Sequence, residues 1–418
     1  MPDAARLTHT LTRDGRLLFA TRIARMFGYG FLSVVLVLYL IQIGLSEASI
    51  GLLLTLTLFG DTAISLWITT NADRVGRRRM LAVGAGLMLF AGVLFALTND
   101  FLLLLVAATI GVISPSGNEV GPFLPIEQAA LAHTVPGERR TSVFAWYNLA
   151  GSVATATGAL CGGVLAQALQ GYGMTPLDSY RAVLAGYAAS GLLLAFLFMR
   201  MSAAVEVDAA AIPQASTRRL GLHRSRRVVL TLSALFALDA FAGGFVISSL
   251  VAFWFHVRFN VGEAILGAIF FGANLLAGAS ALLAARLAAR FGLIHTMVFT
   301  HIPSNILLIL VPLMPSLPLA IAVLLLRFSI SQMDVPTRQS YTLAVVSPDE
   351  RSAAAGVTGV ARTIGSALSP PIAVPLVGSA ALMSAPFFIA GGLKIVYDLM
   401  LYRGFKAVQP PEETSRLG

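Results

Sequence analysis

Charged residues inside apolar stretches are the first candidates for chemistry in this sequence of 418 residues. The six bases are Arg22, Arg25, Arg327, Arg338, Arg362 and Lys394. The six acids are Asp61, Glu119, Glu127, Asp239, Asp334 and Asp398. If these stretches cross a lipid bilayer, a charge at mid-span costs about 2.5 to 3.5 kcal/mol, so such residues are paired or functional. The equal numbers favour internal ion pairs, which are the structural alternative for each residue.

Four of the acids are candidates for carrying a proton, namely Asp61, Glu119, Asp239 and Asp334. Glu119 stands near Pro115 and Gly121, residue types that distort a helix. A distorted membrane helix leaves backbone groups free, and these are tolerated where they line a cavity. A carboxyl group there can take up a proton from one side of a membrane and release it to the other. For Asp61, an ion pair with Arg25 is an equal alternative.

Buried arginines offer a second kind of chemistry, the binding of an anion. Arg327 and Arg362 lie in apolar stretches, and a guanidinium group binds two oxygens of a carboxylate or phosphate at once. Arg25 and Tyr29 complete the set of candidate substrate-binding residues. This set favours an anionic substrate, whereas the equal number of acids could neutralise every base.

An internal repeat relates two of the buried charges. The heptapeptide RMFGYGF at 25–31 recurs as DAFAGGF at 239–245, with Asp239 in place of Arg25. The tetrapeptide that contains Glu127, PIEQ, recurs as PTRQ with Arg338 in place of the acid. Such repeats predict two homologous halves. We expect Arg25 to pair with Asp239, and Glu127 with Arg338, as a gate between the halves on the cytoplasmic side.

The composition places these residues in a membrane, because 57% of the chain is hydrophobic and only 12% is charged. A helix needs about 20 apolar residues to cross a bilayer core of about 30 Å. Twelve spans are predicted, at 18–43, 48–71, 79–97, 101–131, 141–169, 179–201, 227–256, 263–290, 293–313, 317–346, 352–376 and 381–403.

The net charge of +9 is distributed unevenly along the chain. Most of the 29 Lys and Arg residues fall in alternate loops, whereas Arg181 and Arg258 lie in the loops between them. Positive loops face the cytoplasm, so both termini are predicted to be cytoplasmic. We expect a multi-pass protein of the plasma membrane, which is the inner membrane in a bacterium, and we exclude nucleic acid as a partner.

The predicted spans divide the chain into two bundles with polar ends. The predicted segments are a lead-in at 1–17, a six-helix bundle at 18–201, a cytoplasmic linker at 202–226, a second six-helix bundle at 227–403 and a tail at 404–418. Cys161 is the single cysteine, which excludes an internal disulfide and a cysteine metal cluster. The sequence has no phosphate-binding glycine loop and no nucleophile or cofactor motif. We therefore expect neither an ATP-driven pump nor an enzyme, and neither a cofactor nor a metal site.

The segment DRVGRRR at 73–79 resembles the signature loop between helices 2 and 3 of the major facilitator superfamily. The matching residues are Asp73, Arg74, Gly76, Arg77 and Arg78. The resemblance extends over the whole chain, including a weaker copy of the loop, ARFG, after span 8. It implies an all-α fold of twelve helices in two pseudo-symmetric bundles, with spans 1, 4, 7 and 10 lining a central cavity. It also implies that Arg77 pairs with an acid of span 4, for which Glu127 is the candidate.

The resemblance implies a secondary active transporter for a small organic solute, and the buried carboxyl groups favour coupling to protons. The stretch GALCGG at 158–163 resembles a glycine-rich motif associated with antiporters of the superfamily, which favours export of a drug or metabolite in exchange for protons. We expect the protein to act as a monomer. The alternatives are proton-coupled import of an organic anion and a membrane receptor or scaffold that transports nothing.

Overall fold

A computed structural model describes residues 11–119, 121–134, 140–206, 224–347 and 350–406. Before the central loop the helices are α1 (Arg13–Ser33), α2 (Leu36–Gln42), α3 (Glu47–Val75), α4 (Arg77–Leu97), α5 (Phe101–Ile110), α6 (Phe123–Thr134), α7 (Arg140–Gly171) and α8 (Pro176–Met199). After it they are α9 (Arg226–Gly244), α10 (Ser248–Phe259), α11 (Glu263–Phe291), α12 (Leu293–Leu310), α13 (Leu317–Ser331), α14 (Asp334–Ala344), α15 (Arg351–Ala367), α16 (Pro370–Gly378) and α17 (Ala385–Phe405). Two short 3-10 helices cover Ala203–Val205 and Val311–Leu313, and the described residues form no strand.

The predicted all-α membrane fold is confirmed. Within the described residues, ten helical segments are long and apolar enough to cross a membrane, and the bent pair α1–α2 makes eleven. The pair bends by 44°. The fourth predicted span is not one helix but the short helices α5 and α6. Between them Gly117 and Gly121 have φ of +67° and +83°, which ordinary side chains rarely adopt, so the helix is interrupted there.

Side chains at the helix ends explain where several helices begin. Ser46, Asp100 and Thr175 precede α3, α5 and α8, and each side-chain oxygen accepts a hydrogen bond from a backbone N–H in the first turn. Gly76 separates α3 from α4 with φ of +110°, and Gly292 separates α11 from α12 with φ of +86°. These two glycines occupy equivalent places in the internal repeat, so the repeat conserves its helix boundaries.

Contacts divide the chain into two compact units. The first unit contains Met1–Gln214 and Val251–Phe271, and the second contains Ala215–Leu250 and Gly272–Gly418. The division differs from the predicted bundles chiefly in one segment, because most of α10 and the first turns of α11 belong to the first unit. There the buried Glu263 accepts hydrogen bonds from the Tyr180 hydroxyl at 2.6 Å and from Gln170 Nε2 at 3.2 Å.

Each unit is built on the same pairs of helices. In the first unit α1 packs on α7 and α4 on α8, while in the second α9 packs on α15 and α12 on α17. In the order of the predicted spans these are pairs 1–5 and 3–6, then 7–11 and 9–12. The second set repeats the first six spans later, as expected for duplicated halves. A side-chain Cβ at Gly158 of α7 would lie 2.1 Å from Phe27 O, and one at Gly365 of α15 would lie 2.2 Å from Ala237 O. Only glycine allows the helices to approach so closely.

Candidate functional site

Arg25 is the centre of a buried charge cluster in the first unit. Its side chain is completely buried. Its Nη1 and Nη2 donate to the two oxygens of Glu127 at 2.8 and 2.7 Å, in the two-pronged geometry that guanidinium and carboxylate groups prefer. Its Nε donates to Glu119 Oε1 at 2.9 Å. One arginine from α1 therefore holds two acids, one from the break between α5 and α6 and one from α6.

Neighbouring side chains complete the bonding of both acids. Glu127 also accepts from Thr21 Oγ1 at 2.8 Å and from the Tyr147 hydroxyl. Glu119 also forms an ion pair with Arg22, whose guanidinium carbon lies 5.1 Å from the centre of the Tyr147 ring. The Glu119 side chain is 17% exposed, whereas Glu127 is fully buried. Glu119 is thus the more accessible acid of this pair.

Asp61 of α3 is the third acid of the first unit at mid-span. Its Oδ1 is buried and has no hydrogen-bond partner among the described residues. The alternative predicted for it, an ion pair with Arg25, is not the arrangement found, because Glu119 and Glu127 occupy that guanidinium. Among the described residues no cation lies within ion-pair distance of the Asp61 carboxyl group, which is a costly state for a charge whose Oδ1 is buried.

Asp239 of α9 is the centre of the cluster in the second unit. Lys394 Nζ donates to its Oδ1 at 2.5 Å, and Arg362 Nη1 and Arg338 Nη1 donate to its Oδ2 at 3.2 and 3.3 Å. Arg338 also donates to Asp334 Oδ2 at 2.6 Å, one turn earlier on α14. The Asp239 carboxylate therefore forms ion pairs with cations from three helices, α14, α15 and α17.

A second acid of this unit is held by His301 and Asn305. His301 Nδ1 lies 2.8 Å from Asp398 Oδ1, and Asn305 Nδ2 donates to Asp398 Oδ2 at 3.1 Å. His301 Nε2 lies 4.0 Å from Asp239 Oδ1, so the imidazole stands between the two acids. Asp398 is one of the six acids expected at mid-span, but His301 and Asn305 were not expected to bind it. Their signal was the spacing of His301 and Asn305 by four residues, which places both on one face of an apolar helix.

The predicted gate residues are joined in a different way inside the units. The repeat equates Arg25 with Asp239 and Glu127 with Arg338, and the structure pairs Arg25 with Glu127 and Asp239 with Arg338. Each half thus contains the same pair of positions with the charges reversed. Pairs of Arg25 with Asp239 and of Glu127 with Arg338 would join the two units, and they stay predictions for another state of the protein.

The signature loop is anchored by a residue that the sequence analysis missed. Glu206 accepts hydrogen bonds from the backbone N–H groups of Arg77 and Arg78 at 2.6 and 3.2 Å, and so caps the N-terminus of α4. Arg77 is buried and donates from Nη1 to Val205 O at 3.4 Å. The proposed partner of Arg77, Glu127, binds Arg25 instead. Arg74 is exposed, and the side chain of Asp73 lies outside the described residues.

The four candidate substrate-binding residues have very different surroundings. Arg25 and Tyr29 are fully buried, with the Tyr29 ring centre 6.5 Å from that of Tyr187. By contrast, the Arg362 side chain is 35% exposed. Arg327 lies on α13, and its buried Nε has no hydrogen-bond partner in the described part of the chain. Of the four, Arg362 and Arg327 therefore retain unused capacity to bind a solute.

Long apolar helices make this chain a multi-pass membrane protein. The charge clusters inside each unit are typical of the transporter class. The family model of the Major Facilitator Superfamily matches residues 18–370. The chain belongs to the major facilitator superfamily, as the signature loop predicted. Membership indicates a transporter rather than an enzyme.

Individual relatives agree with this assignment. The chain is 32% identical over 419 residues to a Saccharomyces cerevisiae protein described as uncharacterized membrane protein YJR124C, with 93% of each chain covered. A mutant of the nucleoside transporter NupG superposes with a TM-score of 0.73 at 15% identity, covering 94% of this chain and 99% of that one. The D-xylose-proton symporter gives 0.69 at 15% identity, covering 93% and 97%. At these identities the two structures support the fold alone.

Proposed function

We propose that the protein is a proton-coupled secondary active transporter that carries a small organic solute by alternating access. Asp61 is the proposed proton site. The proposal places the protein as a monomer in the plasma membrane, or the inner membrane of a bacterium, with both termini in the cytoplasm. The observation that carries it is the buried, unpartnered Oδ1 of Asp61.

The other three candidate proton carriers are each bonded to a cation. Glu127 and Glu119 bind arginines, and Asp239 and Asp334 bind Arg338. An acid that is tied to a cation gains little by taking up a proton, because protonation would break the ion pair. Asp61 has no cation to lose, and protonation removes the cost of its unpaired charge. Glu119 is the second candidate because it is partly exposed, while Asp239 and Asp334 are assigned to holding the cations.

The direction of transport is a separate part of the proposal. The antiporter-like glycines of α7 have packing roles, since a Cβ at Gly158 or Gly162 would collide with backbone oxygens of α1. They therefore give little support to exchange over cotransport. A second candidate, proton-coupled cotransport of an organic anion, is favoured by the cations that converge on Asp239 in the second unit.

Reconstitution with a pH reporter tests proton coupling. The full-length protein is placed in liposomes that contain a pH-sensitive dye, and organic solutes that do not cross protein-free liposomes are added outside. We expect one or more solutes to change the internal pH. Asp61→Asn should remove at least about nine-tenths of the rate, because an amide cannot carry the proton. An alkaline internal shift would indicate exchange with protons, and an acidic shift would indicate cotransport.

The matched control is Glu47→Gln, which removes an exposed carboxylate from the first turn of the same helix. It should leave the rate unchanged. Full proton-linked flux in Asp61→Asn would reject Asp61 as the proton site, and a lack of any protein-dependent pH change would reject proton coupling.

A further inference from the structure

We infer that the cation cluster of the second unit binds the negative group of an organic monoanion through Arg362 and Arg327. The inference rests on the proposed function and names the substrate class of that transporter. It follows from three observations, namely the charge of the cluster, the free donors of two arginines and the space beside one of them.

The first observation is that the six bases and six acids at mid-span balance when both units are taken together but not within either unit. In the first unit the mid-span bases are Arg22 and Arg25, and the acids are Asp61, Glu119 and Glu127. In the second the bases are Arg327, Arg338, Arg362 and Lys394, and the acids are Asp239, Asp334 and Asp398. The second unit thus has one base more than acids when His301 is neutral. Buried charges are normally compensated, so this excess calls for one additional negative charge.

The second observation identifies the arginines that still have donors to offer. Arg362 uses Nη1 on Asp239, at the long distance of 3.2 Å, and its side chain remains 35% exposed. Arg338 and Lys394 are buried and committed to the acids at 2.6 and 2.5 Å. An anion can therefore approach the outer donors of Arg362 without breaking the closest ion pairs of the cluster.

Arg327 supplies the buried group that has no partner. Its Nε is enclosed and makes no hydrogen bond to any residue that the structure describes. The negative charge that acts on Arg327 is that of Asp334, which already accepts from Arg338. A buried guanidinium donor without an acceptor costs free energy that a bound carboxylate oxygen would recover. Arg327 Nε is thus a buried donor that has no acceptor among the described residues.

The third observation is space along α15. A Cβ added at Gly356 or Gly359 would meet no atom within 4 Å. Gly359 lies about one turn before Arg362 on the same helix face, so the helix surface beside the guanidinium is open. A small organic body can lie there with its negative group on Arg362, and the charge of Asp334 acts on both Arg362 and Arg327, which places the two arginines around the same acid. The excess of one charge favours a monoanion over a dianion.

Thermal unfolding of the purified full-length protein tests ligand class. The probes are benzoate, lactate and gluconate, each compared with its uncharged amide at constant ionic strength. We expect one or more of the anions to raise the Tm saturably by about 2 °C or more, and the amides to have no effect. Arg327→Gln and Arg362→Gln should each weaken the apparent affinity by about 10-fold or more. Arg403→Gln, an exposed arginine of the same unit, is the matched control and should bind as the wild type does.

Arg362→Lys retains the charge but not the two-pronged geometry, so it should bind with intermediate affinity and serves if Arg362→Gln does not fold. The inference is overturned if none of the anions stabilises the protein, if the amides act equally well, or if both glutamine variants respond as the wild type does. The two proposals fail separately. Proton-linked flux of an uncharged or cationic solute that Asp61→Asn abolishes would keep the proposed function and refute the anion site.

Discussion

Arg25 shows how a charge can be stable in the interior of a membrane protein. Its three nitrogens donate to two carboxylates, and its guanidinium carbon lies 4.7 Å from the centre of the Phe123 ring. In a medium of low dielectric constant such bonds are strong, but the desolvation of three charges offsets much of their free energy. The cluster therefore specifies where α1 and α6 meet more than it raises the net stability.

Replacement of Arg25 should lower the folding stability far more than replacement of a partly exposed arginine. Arg25→Ala leaves Glu119 and Glu127 without their shared cation, which should cost about 3 to 5 kcal/mol of folding free energy. The measurement is the thermal unfolding of the purified protein. The control is Arg181→Ala, whose side chain is partly exposed and 3.6 Å from Asp178, and it should cost about 1 kcal/mol or less. Equal losses in the two variants would show that the buried network is not holding the first unit together.

At the scale of helices, the close approach of α1 and α7 depends on glycines, which have no side chain at the contact. Gly158→Ala places a methyl group 2.1 Å from Phe27 O, so the helices must separate or shift. Overpacking of this kind costs about 1 to 3 kcal/mol, and the Tm should fall by several degrees. Gly171→Ala, at the end of the same helix, meets no atom within 4 Å and should leave the Tm unchanged or slightly higher. A neutral effect at position 158 would contradict the packing role.

The sequence predicts the helices better than their breaks. Hydrophobic runs of about 20 residues locate the spans, because a bilayer requires that length. The break between α5 and α6 depends on Gly117 and Gly121 adopting positive φ, and many glycines elsewhere in the chain are helical. Composition shows that such a break is possible but not that it occurs. The capping of α4 by Glu206 is equally hidden, since the acid lies more than 120 residues away in the chain.

For the candidate site, the sequence gives the members of the clusters but not their partners. The repeat aligned Arg25 with Asp239 and Glu127 with Arg338, and the structure keeps that alignment. It pairs these residues within each unit, because helices of one bundle bring the side chains within hydrogen-bond distance. The equal numbers of mid-span acids and bases concealed the opposite excess of these residues in the two units. Only the assignment of each residue to a unit reveals it.

At the scale of the whole molecule, the orientation in the membrane is testable with a single label. Cys161 is first replaced by Ala, since it is the one cysteine of the sequence. In intact cells, Tyr172→Cys should react with a membrane-impermeant maleimide, because Tyr172 is 89% exposed in a predicted external loop. Arg74→Cys, in the signature loop, should react only after the membrane is opened. The reverse pattern would place the termini outside.

The opposite excess charge of the two units has a consequence for energetics. A carrier that holds one proton at Asp61 and one monoanion at Arg362 moves no net charge when it reorients with both ligands. Moving a net charge across the membrane costs or yields about 2.3 kcal/mol per elementary charge per 100 mV. Reorientation of the carrier with both ligands bound involves none of this electrical work. Turnover under these conditions follows the concentration gradients of the two ligands, and a change in membrane voltage leaves it unaltered.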